Sequence, residues 1–127
     1  MKDKVLADTS VWIEFFKAKS EIGSEIESLL KGNHLWTCGV VMFELLQGIK
    51  SDSEKKSILE ILSAIPYIEM KPFLWEKSAA IASSLKRKGI TLPLSDIFIA
   101  SIAIEHNLSI LTLDKHFEQI PNLKIYK

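Results

Sequence analysis

Two short apolar runs, each ending on an acid, constrain this chain more than any other feature. Lys4-Val5-Leu6-Ala7-Asp8 opens it, and Ser109-Ile110-Leu111-Thr112-Leu113-Asp114 lies near its end. Runs this short, with no polar alternation, have the character of strands buried on both faces, and such strands belong to parallel sheets covered by helices. Between them, segments with helical spacing alternate with further short apolar runs. That alternation calls for right-handed βαβ crossovers and a three-layer α/β/α domain with a mostly parallel sheet of four to five strands. In such sheets ligands bind beyond the carboxyl ends of the strands, where the strand order reverses, and Asp8 and Asp114 both fall at such ends.

The intervening elements follow from spacing and punctuation. Thr9 or Ser10 is placed to cap a short helix carrying Trp12, Phe15 and Phe16, and a second helix covers about residues 21–30 and ends at Gly32. Residues 35–38 read as a strand. Residues 39–49 form a strongly apolar helix closing near Gly48, and residues 53–63 an amphipathic one. Residues 67–69 follow Pro66 as a short strand. After Pro72, the spacing of Leu74, Ile81, Ala82 and Leu85 predicts a helix ending at Gly89; after Pro93, Ser95 is placed to cap a buried helix through Ile104. A helical turn through Phe117 and a strand over residues 123–125 close the chain. At 127 residues, with no linker or repeat, residues 1–127 are expected to form a single domain.

Composition narrows the function classes. Lys plus Arg number 16 and Asp plus Glu number 16, so the overall basic excess common in nucleic-acid binders is missing. Acids gathered into one pocket would still leave a basic excess elsewhere, and a bound dication changes the local charge further. A lone Cys38 cannot make an intramolecular disulfide, no signal-like segment opens the chain, and no apolar run approaches the roughly 20 residues of a membrane helix. The expectation is a soluble protein of the cytoplasm.

Glu44 is the most informative single residue. Val40, Val41, Met42, Phe43, Leu45 and Leu46 surround it on a helix with every reason to be buried, so its carboxylate must be paired, hydrogen-bonded, protonated or bound to a cation. Each of the other acids has an ordinary reading. Asp96 complements a helix dipole in a first turn, Asp8 sits at a turn, and Asp114 has the position of an N-cap. Convergence of Asp8, Glu44, Asp96 and Asp114 is what the ordinary readings do not explain. Carboxylates without companion His or Cys ligands select hard cations, hence Mg2+ or Mn2+ over zinc. A dication so held can activate water against a phosphodiester and offset charge on its oxygens. His34, His106 and His116 sit in unrelated contexts and read as surface or packing residues, and neither a Ser-His-Asp set nor a Gly-rich phosphate loop is present.

Four stretches in order carry a resemblance: Leu6-Ala7-Asp8-Thr9-Ser10-Val11-Trp12-Ile13, Phe43-Glu44-Leu45-Leu46-Gln47-Gly48, Leu94-Ser95-Asp96-Ile97-Phe98-Ile99-Ala100-Ser101, and Ile110-Leu111-Thr112-Leu113-Asp114-Lys115-His116-Phe117. Together they resemble the PIN-domain nucleases, and most closely the VapC-type toxins of type II toxin–antitoxin pairs. The resemblance covers the whole chain. It implies a metal-dependent endoribonuclease with Mg2+ or Mn2+ ligated by Asp8, Glu44, Asp96 and Asp114, some through water, and supported by the hydroxyls of Ser10 and Thr112. It further implies cleavage of single-stranded RNA to a 5′-phosphate and a 3′-hydroxyl, a VapB-like antitoxin that blocks the site, and a homodimer. Trp12, Phe15 and Phe16 are candidates for an exposed groove that receives the antitoxin, with at least one of them expected to pack into the core instead. The chain departs from its relatives at Cys38 and Val41, where hydroxyl residues often stand six and three positions before the glutamate. Lys86, Arg87 and Lys88 are candidates for phosphate contact.

Two other readings compete. A phosphoacceptor receiver domain is also small, α/β and acidic at its strand ends, but its expected acid pair, hydroxyl and lysine are not evident, and it gives Glu44 no purpose. A catalytically inactive PIN fold serving only as a protein-binding module is the second alternative.

Overall fold

A computed structural model describes residues 4–17 and 21–126. The chain runs β1 (Val5–Ala7), α1 (Thr9–Lys17), α2 (Glu21–Lys31), β2 (Leu35–Cys38), α3 (Gly39–Gln47), α4 (Asp52–Leu62), β3 (Tyr67–Ile68), α5 (Pro72–Arg87), α6 (Leu94–Glu105), β4 (Ser109–Leu111) and β5 (Lys124–Ile125), with a 3-10 helix, Lys115–Gln119, before β5. The five strands form one sheet in the order β3-β2-β1-β4-β5, and every neighbouring pair is parallel. The sheet is therefore fully parallel, flanked by six α-helices, and the α/β expectation is met.

The strand order decides where a site can lie. From β1 the chain steps outward through β2 to β3, then returns to lay β4 on the other side of β1. Connections leave β1 and β4 in opposite directions, which opens a crevice past their carboxyl ends. Asp8 follows β1 there, and Thr112 and Asp114 follow β4. The Asp8 N–H continues the ladder by donating to the Leu111 carbonyl at 3.0 Å. β4 stops at Leu111, two residues short of the expected end, because the chain turns there to bring Thr112 toward Asp8.

Val5, Leu6 and Ala7 are wholly buried, as a central parallel strand requires. α6 was expected to be covered on nearly every side, and Ile97, Ile99, Ala100, Ile102 and Ala103 are buried between the sheet and α5. Its cap differs from expectation. The helix begins at Leu94 after Pro93, whose carbonyl accepts the Asp96 and Ile97 N–H groups, so Ser95 lies inside the first turn and does not cap it.

α2 also ends differently. Asn33 holds the left-handed conformation, φ 59°, that Gly32 was expected to supply. Gly32 leaves room for a neighbour instead: a Cβ there would lie 2.4 Å from the His34 ring, which would have to shift. Gly89, with φ 79°, does close α5 as its position predicts.

On α1, Trp12 is fully buried, stacked on Phe16 at 6.0 Å and edge-on to Phe15 at 5.6 Å. Of the three groove candidates, Trp12 is therefore the one that packs into the core. Its position one turn after the strand end points it into the core, while Phe15 and Phe16 remain only partly covered.

Candidate metal centre

Asp8 is 2 % exposed, and three donors explain how a carboxylate is tolerated at that depth. Its Oδ1 accepts the Ser10 hydroxyl at 2.6 Å and the Val11 N–H at 3.2 Å, and its Oδ2 accepts the Thr112 hydroxyl at 2.5 Å. The bond from Val11, third residue of α1, makes Asp8 the helix cap, in place of Thr9 or Ser10. The same hydroxyls hold the chain beyond β4. Ser10 Oγ accepts the Leu113 N–H at 3.2 Å, and Thr112 Oγ1 accepts the Asp114 N–H at 2.9 Å. Ser10 and Thr112 thus stitch the ends of β1 and β4 together through Asp8.

Burial pushes the Asp8 carboxyl above its usual range, with the Ser10, Thr112 and Val11 donors pulling it back and the negative charge of Asp114 adding to the rise. Burial likewise raises Asp96, in the first turn of α6. There His116 opposes the rise through its hydrogen bond and charge, and Asp114 and Glu44 reinforce it. Asp8 therefore feels Asp114, and Asp96 feels both Asp114 and Glu44. The structure brings all four sequence-predicted acids into one electrostatic neighbourhood.

Glu44 stands in a different setting from the one its sequence suggested. α3 buries Val41 and Leu45 but leaves Phe43 66 % exposed, so Glu44 lies at the edge of a half-covered helix and not within a buried one. Its Oε1 accepts the Thr9 hydroxyl at 2.6 Å, a link across 35 residues that ties α3 to the turn after β1. Asp114 precedes the 3-10 helix at the N-cap position but makes no capping bond with its side chain. Among the described residues, no Lys or Arg forms an ion pair with any of the four acids. Lys86 and Arg87 border a separate surface pocket with Ala79, Ala82 and Ser83.

His116 is the residue that sequence reasoning missed. Its Nε2 lies 2.5 Å from Asp96 Oδ2. The signal was the Asp114-Lys115-His116-Phe117 spacing: Phe117 is wholly buried and anchors the 3-10 helix, and the His116 ring stacks on it at 5.2 Å. Such an anchor turns the residue before it back toward the acids.

The donors suit a metal ion. One ligand atom each from Asp96, Asp114 and His116 lie within 4.8 Å of one another. Bonds of about 2.0–2.2 Å place ligands on opposite sides of a cation about 4.0–4.4 Å apart, so modest side-chain movement would close the set around a dication. Crowded carboxylates that no Lys or Arg among the described residues pairs with are stabilised by such an ion.

The sequence profile of the PIN-domain family matches residues 5–123. The chain belongs to the PIN-domain family. Relatives of this PIN domain include Ribonuclease VapC1 of Methanocaldococcus jannaschii, 32 % identical over 98 % of this chain and 88 % of its own. Ribonuclease VapC11 of Mycobacterium tuberculosis is 27 % identical, over 94 % of this chain and 92 % of its own. The DNA-bound VapBC structure from Salmonella typhimurium has the same fold, with a TM-score of 0.86 at 23 % identity, over 98 % of this chain and 97 % of that one. A PIN domain is not a receiver, and the phosphoacceptor reading ends here.

Proposed function

We propose that this PIN domain is an Mg2+- or Mn2+-dependent endoribonuclease of the VapC kind, the toxin of a toxin–antitoxin pair acting in the cytoplasm. The observation that carries the reading is the gathering of Asp8, Glu44, Asp96 and Asp114 at the β1/β4 crevice, with no Lys or Arg among the described residues paired to them. In this reading Asp96 and Asp114 hold the ion directly, and Asp8 and Glu44 hold it directly or through water. When bound, the dication supplies a water nucleophile at neutral pH and offsets charge on the phosphoryl and leaving oxygens. The protein's part is positional. Thr112 and Ser10 fix both oxygens of Asp8, Thr112 also fixes the backbone at Asp114, and Thr9 aims Glu44. Cleavage leaves a 5′-phosphate and a 3′-hydroxyl on single-stranded RNA.

Two surfaces support the partners this reading calls for. Ile13 and Phe16 of α1 line a groove of about 440 Å³ with Leu45, Ile49 and Ile58, and Glu44 stands on its wall. An amphipathic antitoxin segment seated there would reach the acids, and so block them. Phe43, Tyr67 and Trp75 are 66 %, 50 % and 52 % exposed and border an apolar pocket of about 400 Å³, a surface a homodimer would cover. In both uses residues 1–127 act as one domain.

The test is cleavage of single-stranded RNA by protein purified without antitoxin. Cleavage is expected with Mn2+ or Mg2+, to cease with EDTA, and to be lost in Asp96→Asn while the far-UV circular dichroism is unchanged. Full activity in Asp96→Asn would assign the cut to another site or a contaminant.

A further inference from the structure

We propose that His116 is a ligand of the metal site, so that this PIN domain binds its ion through nitrogen as well as oxygen and favours Mn2+ over Mg2+. The inference rests on the metal-site reading above and extends it to a residue outside the acid set.

Geometry carries the argument. Nε2 of His116 belongs to the same cluster, within 4.8 Å, as a carboxylate oxygen from each of Asp96 and Asp114. The imidazole does not reach there on a loose tether. It stacks on Phe117 with an angle of 24° between the rings, and Phe117 is fully buried, so the ring plane is held by the core. His116 itself is only partly buried, with a side chain 31 % exposed, which leaves the site open to entry of an ion from solvent. It is also the only nitrogen-bearing side chain that forms an ion pair with the acids among the described residues.

Chemistry gives the consequence. Mg2+ keeps to oxygen donors and retains much of its water, whereas imidazole is a good ligand for first-row transition metals. Adding one imidazole to a carboxylate set therefore strengthens Mn2+ binding more than Mg2+ binding. The rival role for His116 is that of a counter-ion, which pairs with Asp96 and must be displaced when the metal arrives. The two roles predict opposite signs: removing a ligand weakens the metal, and removing a competitor tightens it.

The experiment is Mn2+ and Mg2+ titration calorimetry on wild type, His116→Ala, His116→Gln and Asp96→Asn. It is combined with electron spin echo envelope modulation of the Mn2+-loaded wild type, which reports directly bound nitrogen without any variant. Expected are a nitrogen modulation in the wild type that is lost in His116→Ala and kept in His106→Ala, whose histidine is exposed at the end of α6. The Mn2+ to Mg2+ affinity ratio of His116→Ala should fall by about tenfold. Mn2+ bound by wild type without nitrogen modulation, or bound more tightly by His116→Ala, overturns the ligand role and leaves the acid site standing. Failure of the wild type to bind Mn2+ at all overturns both readings.

Discussion

Thr112→Val is the sharpest probe of how this site is built. Valine matches threonine in shape but removes the hydroxyl that donates to Asp8 Oδ2 at 2.5 Å and accepts the Asp114 N–H at 2.9 Å. A hydrogen bond to a charged group contributes about 1.5–3 kcal/mol and a neutral one about 0.5–1.5 kcal/mol. Thr112 is partly exposed, so water replaces some of what is lost, and the expected cost is about 2 kcal/mol. For a chain of 127 residues, between the size classes for which slopes are known, this lowers the melting temperature by roughly 6–12 °C. Metal binding suffers separately. The Thr112 donor is one of the groups that pull the Asp8 carboxyl down against burial, so its loss leaves Asp8 more readily protonated and less available to a cation. A fall of about 10-fold to 100-fold in Mn2+ affinity is expected. Thermal unfolding in EDTA reads the first effect and calorimetric Mn2+ titration the second, with Thr112→Ser as the variant that restores the hydroxyl. If Thr112→Val bound Mn2+ as tightly as wild type, or if Thr112→Ser were as impaired as Thr112→Val, the hydroxyl would not be organising the site.

Two more outcomes follow from the same structure. Burial raises the Asp8 carboxyl, so the metal-free fold favours its protonated form more than the unfolded chain does; the stability tied to that proton is complete below the unfolded value of about 3.9 and is lost as pH rises through the raised folded one. Asp8→Asn cannot ionise, and the melting temperature of Asp8→Asn minus that of wild type, measured in EDTA, should grow from pH 4 to pH 7; a constant difference would contradict the sign. Trp12→Ala removes a fully buried ring from the Phe15–Phe16 cluster and should cost about 3–5 kcal/mol. Trp12→Phe should cost much less, because it also deletes an indole N–H that finds no partner among the described residues, and urea unfolding would expose the error if the two variants were equally unstable.

Much of this protein was settled by local patterns. Short apolar runs at residues 5–7 and 110–111 have the length and character of strands buried on both faces, which calls for a parallel sheet with helices over it. An acid directly after such a run must then stand at the ligand-binding edge, and so Asp8 and Asp114 were legible before any coordinates. Periodicity reports which face of an element is covered, but not what covers it. The hydroxyl that steadies Asp8 comes from 104 residues away and the one that aims Glu44 from 35, and neither distance leaves a trace in the spacing of the chain. Trp12 inward with Phe16 at the groove, Glu44 at a rim, and His116 against Asp96 were all decided by packing, because only the closed sheet brings β1, α3, α6 and the turn after β4 to one crevice.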